Sequence, residues 1–360
     1  MPILQRRCQG CHRPGEIAPF ALMSIDHAKK YAKRIREAVT TRRMPPWHAS
    51  PEHGEWANDA RLSDAEIATI QSWIDGGMKQ GGSAPAARQF TSGWQIGKPD
   101  MVLKIPAFKV QAEGTMPYRY VTVDPKLKED VWVQAIEVRP GARPVVHHIL
   151  VFTGGAQGEF AGGLNGYFGA MVPGEEPMML PEGFAKKLKA GEQLTVQLHY
   201  NATGEAYSDE SSIGLKFARK GTVKKEVHTR AASSMTIGIP PGAADHAETG
   251  TFRFAKDSML LSFQAHMHLR GKAFRYEATY PDGKTEILLD MPDYDFNWQL
   301  LYKLKKPKLM PAGTTIKATG RFDNSKNNPA NPDPTKWVRF GEQTWEEMMI
   351  GYFDYYEGKE

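Results

Sequence analysis

The 360-residue chain has only two cysteines, Cys8 and Cys11, and both lie in the segment CQGCH. No disulfide framework can hold the remaining residues together, so their stability must come from buried cores. There is also no apolar run near the ~20 residues of a membrane-spanning helix, which argues against a membrane span. The seven residues before Cys8 leave no room for the apolar part of a signal peptide, so we expect the export signal to be absent from this chain.

The charge pattern argues against one class of partner. A formal net charge of +5 is spread over the chain, without the dense Lys/Arg stripe interleaved with aromatics that nucleic-acid binders show. We therefore expect no nucleic-acid partner. Before Met44, lysines and arginines outnumber acidic residues. This excess is typical of a solvated helix face, and the alternative is a docking surface for an acidic redox partner.

Chain length, residue composition and hydrophobic periodicity divide the chain into regions. At 360 residues it is too long for one typical domain. Residues 1–82 have helical spacing, and residues 83–100 include a stretch rich in Gly, Ser, Pro and Ala that predicts a linker. The remainder consists of short β-rich runs bounded by Pro and Gly, which predict β-sandwiches rather than a parallel α/β sheet. We expect a mainly β protein with sandwiches at 101–230 and 231–360, preceded by a small α-helical domain.

Capping signals mark the helices of the first region. Ser63 and Glu66 form the pattern of a capping box, and Gly76 with Gly77 predicts the end of the same helix. Asp26 is placed to cap an earlier helix. We interpret these short helices as surrounding a common centre.

The segment C-x-x-C-H is the attachment signature of c-type haem, in which two thiols add to the haem and the adjacent histidine ligates iron. It assigns Cys8 and Cys11 to the covalent bonds and His12 to the axial position. The alternatives are a thioredoxin-like redox pair and half of a zinc site. Zinc would need further cysteines, and a redox pair would be expected in a βαβ context. We therefore predict one covalent haem c and, because haem is attached after export, a periplasmic or otherwise extracytoplasmic location.

A methionine thioether commonly supplies the sixth iron ligand. Met44 is our choice because the two prolines after it hold the chain extended just after a helix; Met23 and Met78 are the alternatives. The region resembles small bacterial cytochrome c domains, in which CxxCH, an MPPW loop and a final IxxWIDxG helix occur together.

Histidines recur inside the apolar β runs. His266 and His268 are two residues apart, so a strand would place both imidazoles on one face, about 7 Å apart at Cα. His147 and His148 are adjacent, and a regular strand would point them to opposite faces. If both bind one ion, their strand must bulge or end there. His199 comes from another run, and each of these signals taken separately is more often structural.

The metal that suits such residues is copper, because nitrogen ligands favour Cu(II) and a soft thioether favours Cu(I). The segment TWEEMMIGYFDYY offers Met348 and Met349, of which strand alternation lets only one face a given side.

Taken in order, four motifs resemble the copper type II, ascorbate-dependent monooxygenases, the family of dopamine β-hydroxylase and peptidylglycine α-hydroxylating monooxygenase. The motifs are HH in VVHHILVF, the single His in LHYN, HxH in HMHLRGK and EEM in EEMMIGYFDYY. The resemblance implies two jelly-roll β-sandwiches with one copper each. It assigns an electron-transfer copper to His147, His148 and His199, and an oxygen-activating copper to His266, His268 and Met348.

Departures from the family bear on the substrate. The amidating enzyme binds a peptide carboxylate through an arginine two residues before its HxH, where this chain has Gln264. Ile350 replaces an asparagine of that enzyme, so we do not expect a glycine-extended peptide as substrate. Tyr352 matches a tyrosine of its substrate site, although a core tyrosine explains it equally well.

The expected function is that of a copper-dependent monooxygenase with two coppers and one haem. By resemblance, it inserts one oxygen atom of O2 into a C–H bond of a small organic substrate. An external donor (ascorbate, quinol or a redox protein) supplies the electrons, and the fused haem relays them. The alternative is a haem/copper electron carrier or redox sensor without oxygenase activity, and a third possibility is a degenerate binding module.

Overall fold

A computed structural model of the chain describes residues 1–82, 85–154 and 166–359. Positions 83 and 84, at the start of the predicted linker, lie outside the described residues. None of the helices in the described part has the length and apolar character to cross a membrane.

The chain forms two compact units. The helical unit comprises Met1–Trp47 and Asn58–Ser92, and the β unit comprises His48–Ala57 and Gly93–Glu360. The chain therefore leaves the helical unit at Trp47, returns to it at Asn58 and leaves it again after Ser92.

The helical unit contains short helices around a small apolar core. They are α1 (Pro2–Arg7), α2 (Ile25–Lys30), α3 (Ala32–Thr40) and α4 (Asp64–Asp75). The predicted capping box of α4 is confirmed, because Ser63 and Glu66 each bond to the other's backbone N–H. The prediction for Asp26 is wrong: the Ser24 hydroxyl caps α2 by accepting from His27 N, and Asp26 lies within the first turn.

The first β-sandwich of the β unit uses the strands before residue 227. They are β1 (Met101–Lys104), β2 (Phe108–Val110), β3 (Arg119–Val123), β4 (Val131–Arg139), β5 (Val146–Thr153), β6 (Tyr167–Met171), β7 (Met178–Met179), β8 (Phe184–Leu188), β9 (Leu194–Tyr200), β10 (Tyr207–Asp209), β11 (Ser212–Phe217) and β12 (Lys225–Glu226). One sheet has the order β1-β11-β4-β8-β12, with β7 beside β4, and the other has the order β3-β9-β5-β6. Alternate aliphatic residues such as Ile136, Ile149, Val196 and Ile213 fill the core.

The second sandwich follows. Its strands are β13 (His228–Ser234), β14 (Gly238–Ile239), β15 (His246–Arg253), β16 (Ser258–His266), β17 (Gly271–Thr279), β18 (Thr285–Met291), β19 (Leu301–Met310), β20 (Thr315–Phe322), β21 (Val338–Arg339) and β22 (Met349–Glu357). The sheets have the orders β13-β22-β16-β19 and β15-β20-β17-β18. Aromatic rings meet between them, for example Phe263 and Tyr276 at 4.7 Å. The prediction of a mainly β fold is confirmed.

Strands β5, β16 and β22 are buried along almost their whole length. An antiparallel sheet commonly has one solvated face. Here the outer face of β16 and β22 is covered by the first sandwich: Tyr167 of β6 stacks on Tyr352 of β22 at 4.8 Å and donates to Gln264 of β16 at 2.7 Å. Polar side chains that alternate with the core residues are therefore buried between the sandwiches.

A strand-like segment from the N-terminal region completes the second sandwich. Trp56 pairs with Leu304 of β19, and backbone bonds join Ala57 to Lys303 at 2.8 Å and Lys305 to Glu55 at 2.8 Å. Because β19 is an edge strand, its outer backbone groups are available for such pairing. This segment falls inside residues 1–82, which the sequence suggested were helical.

Candidate metal centres

Three histidines converge at the start of β5 and the end of β9. His148 lies directly opposite His199 in the register of the two strands, and His147 comes just before His148. The ring centroids are 5.2, 4.9 and 5.0 Å apart. One nitrogen of each ring lies within 4.8 Å of the other two. The three donors can therefore bind a single ion.

A β-bulge explains how two adjacent histidines contribute to one group. The register between β5 and β9 shifts between Val146 and His148, so His147 is the extra residue. A bulge breaks the strict alternation of side chains. As a result, the Nδ1 atoms of His147 and His148 lie 3.0 Å apart. The sequence had required a bulge or a strand end here if both were to bind one ion.

Burial keeps these imidazoles neutral. It lowers the pKa of His147 to about 4 and of His199 to about 3. It also lowers the pKa of His148 well below its usual range, with the neighbouring histidines adding to the effect. Three buried ring nitrogens, His147 Nε2, His148 Nε2 and His199 Nδ1, have no hydrogen-bond partner. Unpaired buried polar atoms are costly, and neutral imidazole is the form that binds metal, so this group fits a copper ion.

The second pair of histidines lies at the end of β16. The rings of His266 and His268 are 5.1 Å apart and nearly perpendicular. His266 Nδ1 lies 2.6 Å from Gln299 Oε1, and His268 Nδ1 lies 3.2 Å from the carbonyl of Glu346. Because each oxygen accepts, each Nδ1 carries the proton and each Nε2 keeps its lone pair. Burial lowers the pKa of His266 to about 4, and the buried His268 Nε2 has no partner, as expected of metal ligands.

The two candidate methionines lie on opposite faces of the sheet. His266 is opposite Ile350 in the register of β16 and β22. Met348 packs beside Ile350 and Tyr352 on that outer face. Met349 points into the core, where a Cβ atom on Gly320 would lie 2.6 Å from its Cγ. Met348 is thus the methionine that shares a face with His266.

A buried carboxylate beside this pair was missed at the sequence level. Glu347 accepts from the backbone N–H of His268 at 2.8 Å and of Arg270 at 2.7 Å. Burial raises the pKa of Glu347 to about 8. The Arg270 guanidinium bonds in turn to Asn324 Oδ1 and to the carbonyl of Trp345. This network fixes the chain after His268, and it gives Asn324 a structural role. The second glutamate of the EEM motif was its only sequence signal.

Tyr118 lies between the two groups of histidines. Its ring centroid is 5.5 Å from His148, 4.8 Å from His199 and 5.9 Å from His268. Its buried hydroxyl has no hydrogen-bond partner. Nothing in the surrounding sequence marks this tyrosine. The pairing of β3 with β9 brings it to His199, and the packing of the two sandwiches brings it to His268.

The two residues suggested for substrate contact lie beside His266. Gln264 accepts from Tyr167 OH and donates to the carbonyl of Gln299 at 2.9 Å, the residue whose side chain orients His266. Glu175 Oε2 lies 3.4 Å from Gln264 Nε2. Tyr352 lies opposite Gln264 in the register and stacks on Tyr167. Residues of the first sandwich therefore cover the Gln264 and Tyr352 side of the His266 and His268 pair.

The haem-attachment motif forms a helical turn in the helical unit. His12 N donates to the Cys8 carbonyl at 2.9 Å and Cys11 N to the same carbonyl at 3.2 Å. Positions three and four apart lie on one face of a helical turn, so the three side chains share a side. His12 Nδ1 donates to the Phe20 carbonyl at 3.0 Å, which leaves Nε2 as the ligand atom. Burial lowers the pKa of His12 and raises that of the Cys8 thiol to about 12. The turn is compatible with the attachment motif, and haem c on these residues stays a prediction.

Three methionines of the helical unit are the candidates for the predicted sixth iron ligand. Met44 follows α3, and its backbone N–H donates to the Ala38 carbonyl at 3.1 Å. Met23 and Met78 are half-buried, as is Met44. All three lie outside the apolar cluster of the helices. Met44 as the haem ligand stays a prediction.

A cavity of about 640 Å³ reaches the first group of histidines from solvent. Both sandwiches line it, with residues that include Met116, His199, Asn201, Tyr294, Asp295, Phe296, Asn297, Asn328 and Thr344. The Phe296 ring stacks on His147 at 5.4 Å with an interplanar angle of 11°.

The second sandwich can be compared with a known protein family. Residues 229–360 match the family model of the copper type II ascorbate-dependent monooxygenase, C-terminal domain. The matched segment contains His266, His268, Met348 and the wall residues Gln264 and Tyr352. The match supports copper-dependent monooxygenase chemistry for this part of the chain. A search of curated proteins finds no match.

Solved structures give only distant similarity. The major capsid protein P2 of bacteriophage PM2 has a TM-score of 0.28 and 7% identity, covering 72% of this chain and 98% of that one. VP54 of PBCV-1 has a TM-score of 0.25 and 7% identity, covering 74% and 96%. A structure of allantoicase has a TM-score of 0.19 and 9% identity, covering 60% and 79%. No functional argument follows from likenesses this weak.

Proposed function

We propose that the protein is a copper-dependent monooxygenase that hydroxylates a C–H bond of a small organic substrate with O2. The observation that carries the proposal is the buried face of β16 and β22. There, His266 and His268 keep Nε2 lone pairs, Met348 shares the face, and all three lie in the segment that matches the family. Two imidazoles and a thioether suit an ion that cycles between Cu(II) and Cu(I).

The residues around this group hold its ligands in place. Gln299 and the Glu346 carbonyl fix the tautomer and rotation of the two imidazoles, and Glu347 fixes the backbone that joins them. Tyr167 closes the outer face against Tyr352, which keeps bulk water from the reacting region. Copper bound here would supply the activation of O2.

His147, His148 and His199 would hold a second copper that supplies electrons one at a time. Their neutral, unpartnered nitrogens support this assignment. Tyr118 contacts rings of both groups, so a packed side chain lies between the two sets of candidate ligands.

The helical unit would carry one covalent haem c on Cys8, Cys11 and His12, with Met44 as the proposed sixth ligand, and would relay electrons from an external donor. The helical turn of the motif and the free Nε2 of His12 support this part of the proposal. Haem attachment would place the protein in the periplasm or another extracytoplasmic compartment. We also propose that the strands of both sandwiches have jelly-roll connectivity.

Oxygen uptake by the copper-loaded protein tests the function. With reductant and a panel of small aliphatic and aromatic compounds, we expect O2 uptake with at least one compound and a product heavier by one oxygen atom. His266→Ala should abolish product formation, whereas His228→Ala, a histidine outside both groups, should not. Reversible copper and haem redox chemistry without product across the panel would instead support an electron carrier.

A further inference from the structure

We propose that Asp295 is a positioning residue for both histidine groups, although within the described part of the chain it hydrogen-bonds to none of their five rings. It acts through residues 294–299, called here the shared turn, which lie between β18 and β19. The inference rests on the proposed function in taking the two groups as copper sites. The first group is His147, His148 and His199, and the second contains His266 and His268.

The side chain of Asp295 shapes the middle of the shared turn. Its Oδ1 accepts from the backbone N–H and from the side-chain amide of Asn297, at 2.8 Å each. Gln299 Nε2 donates to the Phe296 carbonyl at 3.1 Å, which closes the turn at its other end. Asp and Asn are favoured at such positions because their side chains accept from the backbone two residues later. The conformation of the turn therefore depends on the Asp295 carboxylate.

The Phe296 ring makes the contact between the shared turn and the first group. It stacks on His147 at 5.4 Å with an interplanar angle of 11°, and its centroid is 5.9 Å from that of His199. The same ring meets His268 of the second group edge-on at 6.2 Å. A close-packed neighbour restricts the rotation of a side chain, so the position of Phe296 affects how these imidazoles are oriented.

Two other residues of the shared turn hold the second group. Tyr294 OH donates to the Met267 carbonyl at 2.8 Å and accepts from Met267 N at 3.0 Å. Met267 is the residue between His266 and His268, so this pair of bonds fixes the backbone that carries both rings. Gln299 Oε1 lies 2.6 Å from His266 Nδ1 and fixes its tautomer. One short segment thus contacts the ligands of both groups.

The ends of the shared turn are held from outside it. Tyr294 N donates to the Lys272 carbonyl at 2.9 Å, and the Gln299 carbonyl accepts from Gln264 Nε2 at 2.9 Å. Loss of the Asp295 side chain would therefore loosen the middle of the turn without releasing it. We expect Asp295 variants to fold, and their effect to be on the orientation of the ligands.

Histidine NMR of the metal-free chain tests the inference without copper. With isotope-labelled histidine, the wild-type chain should show His266 with its proton on Nδ1, and His147 with ring signals shifted by the stacked Phe296. Asp295→Ala should give His266 a mixture of both tautomers and reduce the shift of His147. Asp295→Asn should keep the wild-type signals, because the amide oxygen can accept the same two hydrogen bonds.

Anaerobic Cu(I) titration measures the two groups separately. The double variant His266→Ala/His268→Ala retains the first group, and His148→Ala/His199→Ala retains the second. In each background Asp295→Ala should weaken Cu(I) binding about tenfold, the lower end of the range for residues that support metal ligands. Asp295→Asn should restore most of the affinity, because it keeps the turn and loses only the charge.

Asp282→Ala is the matched control. Asp282 Oδ1 also accepts from a backbone N–H two residues later, that of Lys284 at 3.1 Å, but it lies in the β17–β18 hairpin. This variant should leave the histidine signals and both Cu(I) affinities unchanged.

Three results would overturn the inference: unchanged His147 and His266 signals in Asp295→Ala, weaker Cu(I) binding at one group alone, or no recovery in Asp295→Asn. Two coppers bound by the wild-type chain would then still support the proposed function. If the wild-type chain bound no copper, the proposed function would fail, and the histidine signals of the metal-free variants would still decide the positioning role.

Discussion

Met348 and Met349 are neighbours in the chain, but their side chains serve different purposes. Met348 lies on the buried outer face with Ile350 and Tyr352, whereas Met349 fills the space beside Gly320 between the sheets. Strand alternation produces this separation, and burial of both faces of β22 makes both side chains inaccessible. The proposed copper chemistry therefore involves the thioether of Met348, whereas Met349 fills core volume.

Leucine substitutions separate these two roles, because leucine keeps the volume of methionine and lacks sulfur. Met348→Leu should lower oxygenation by more than about 100-fold, since even partners of a ligand typically account for about 10–100-fold. Two imidazoles should still retain most of the Cu(II). Met349→Leu should keep near-normal activity. Product formation and copper content are measured for both purified variants. If Met349→Leu lost activity and Met348→Leu kept it, the ligand would be Met349 instead of Met348.

Residues within short motifs were accessible from the sequence, and those that act through packing were not. The spacing of His266 and His268 suffices to predict a shared face. Tyr118 and Phe296 contact the histidines from segments outside the strands and distant in sequence, so no local pattern marks them. The pairing of β3 with β9 brings Tyr118 to His199, and the packing of one sandwich on the other brings Phe296 to His147.

At the scale of elements, the segment around Trp56 behaves as an additional edge strand. Its indole packs edge-on against Tyr302 at 5.5 Å and Phe263 at 6.2 Å. Trp56 is 6% exposed, and the backbone bonds beside it continue the sheet beyond β19. This segment therefore stabilises the β unit although it comes from the N-terminal part of the chain.

Replacing the indole tests that contribution. Trp56→Ala should lower the free energy of unfolding of the β unit by about 3–5 kcal/mol, the usual effect of removing a buried tryptophan. Trp337→Ala is the control: that side chain is 61% exposed, and its removal should change stability by no more than about 0.5 kcal/mol. Denaturant titration followed by circular dichroism measures both. If Trp56→Ala lowered the free energy of unfolding by less than about 1 kcal/mol, the segment would not contribute to the stability of the sheet.

The elements themselves were predictable where periodicity was strong. The runs that became β4, β5, β9, β16, β20 and β22 alternate or are continuously apolar, and the capping box of α4 has an unambiguous pattern. The cap of α2 was misplaced because Ser24 and Asp26 are both good capping residues and only the backbone conformation distinguishes them. Residues 48–57, HASPEHGEWA, show neither helical nor strand periodicity. Their pairing with β19 therefore depends on tertiary structure alone.

For the whole molecule, the proposed haem relay depends on the two units being parts of one chain. Three chain connections join them, at residues 47/48, 57/58 and 92/93. A tether of this kind raises effective concentration to roughly millimolar even where it is flexible. A built-in donor would therefore not depend on encounters between molecules.

Anaerobic mixing of reduced haem with Cu(II)-loaded sites in the same chain tests the relay. Haem reoxidation should match the loss of the Cu(II) signal at a rate independent of protein concentration, and His199→Ala should abolish it. The rate in the wild-type chain serves as the reference. A concentration-dependent rate, or full turnover with ascorbate in the Cys8→Ala/Cys11→Ala variant, would remove the relay role.

The segment of residues 48–57 that pairs with β19 also affects where the β unit could be separated from the helical unit. A gene cut at Gly93 would encode a β unit whose sheet ends at an uncovered β19, with backbone groups open to pairing with other chains. Such edges promote aggregation, so a descendant that dropped the helical unit would need a replacement for residues 48–57. We therefore expect a β unit that begins at Gly93 to aggregate more readily than the whole chain, because it lacks residues 48–57.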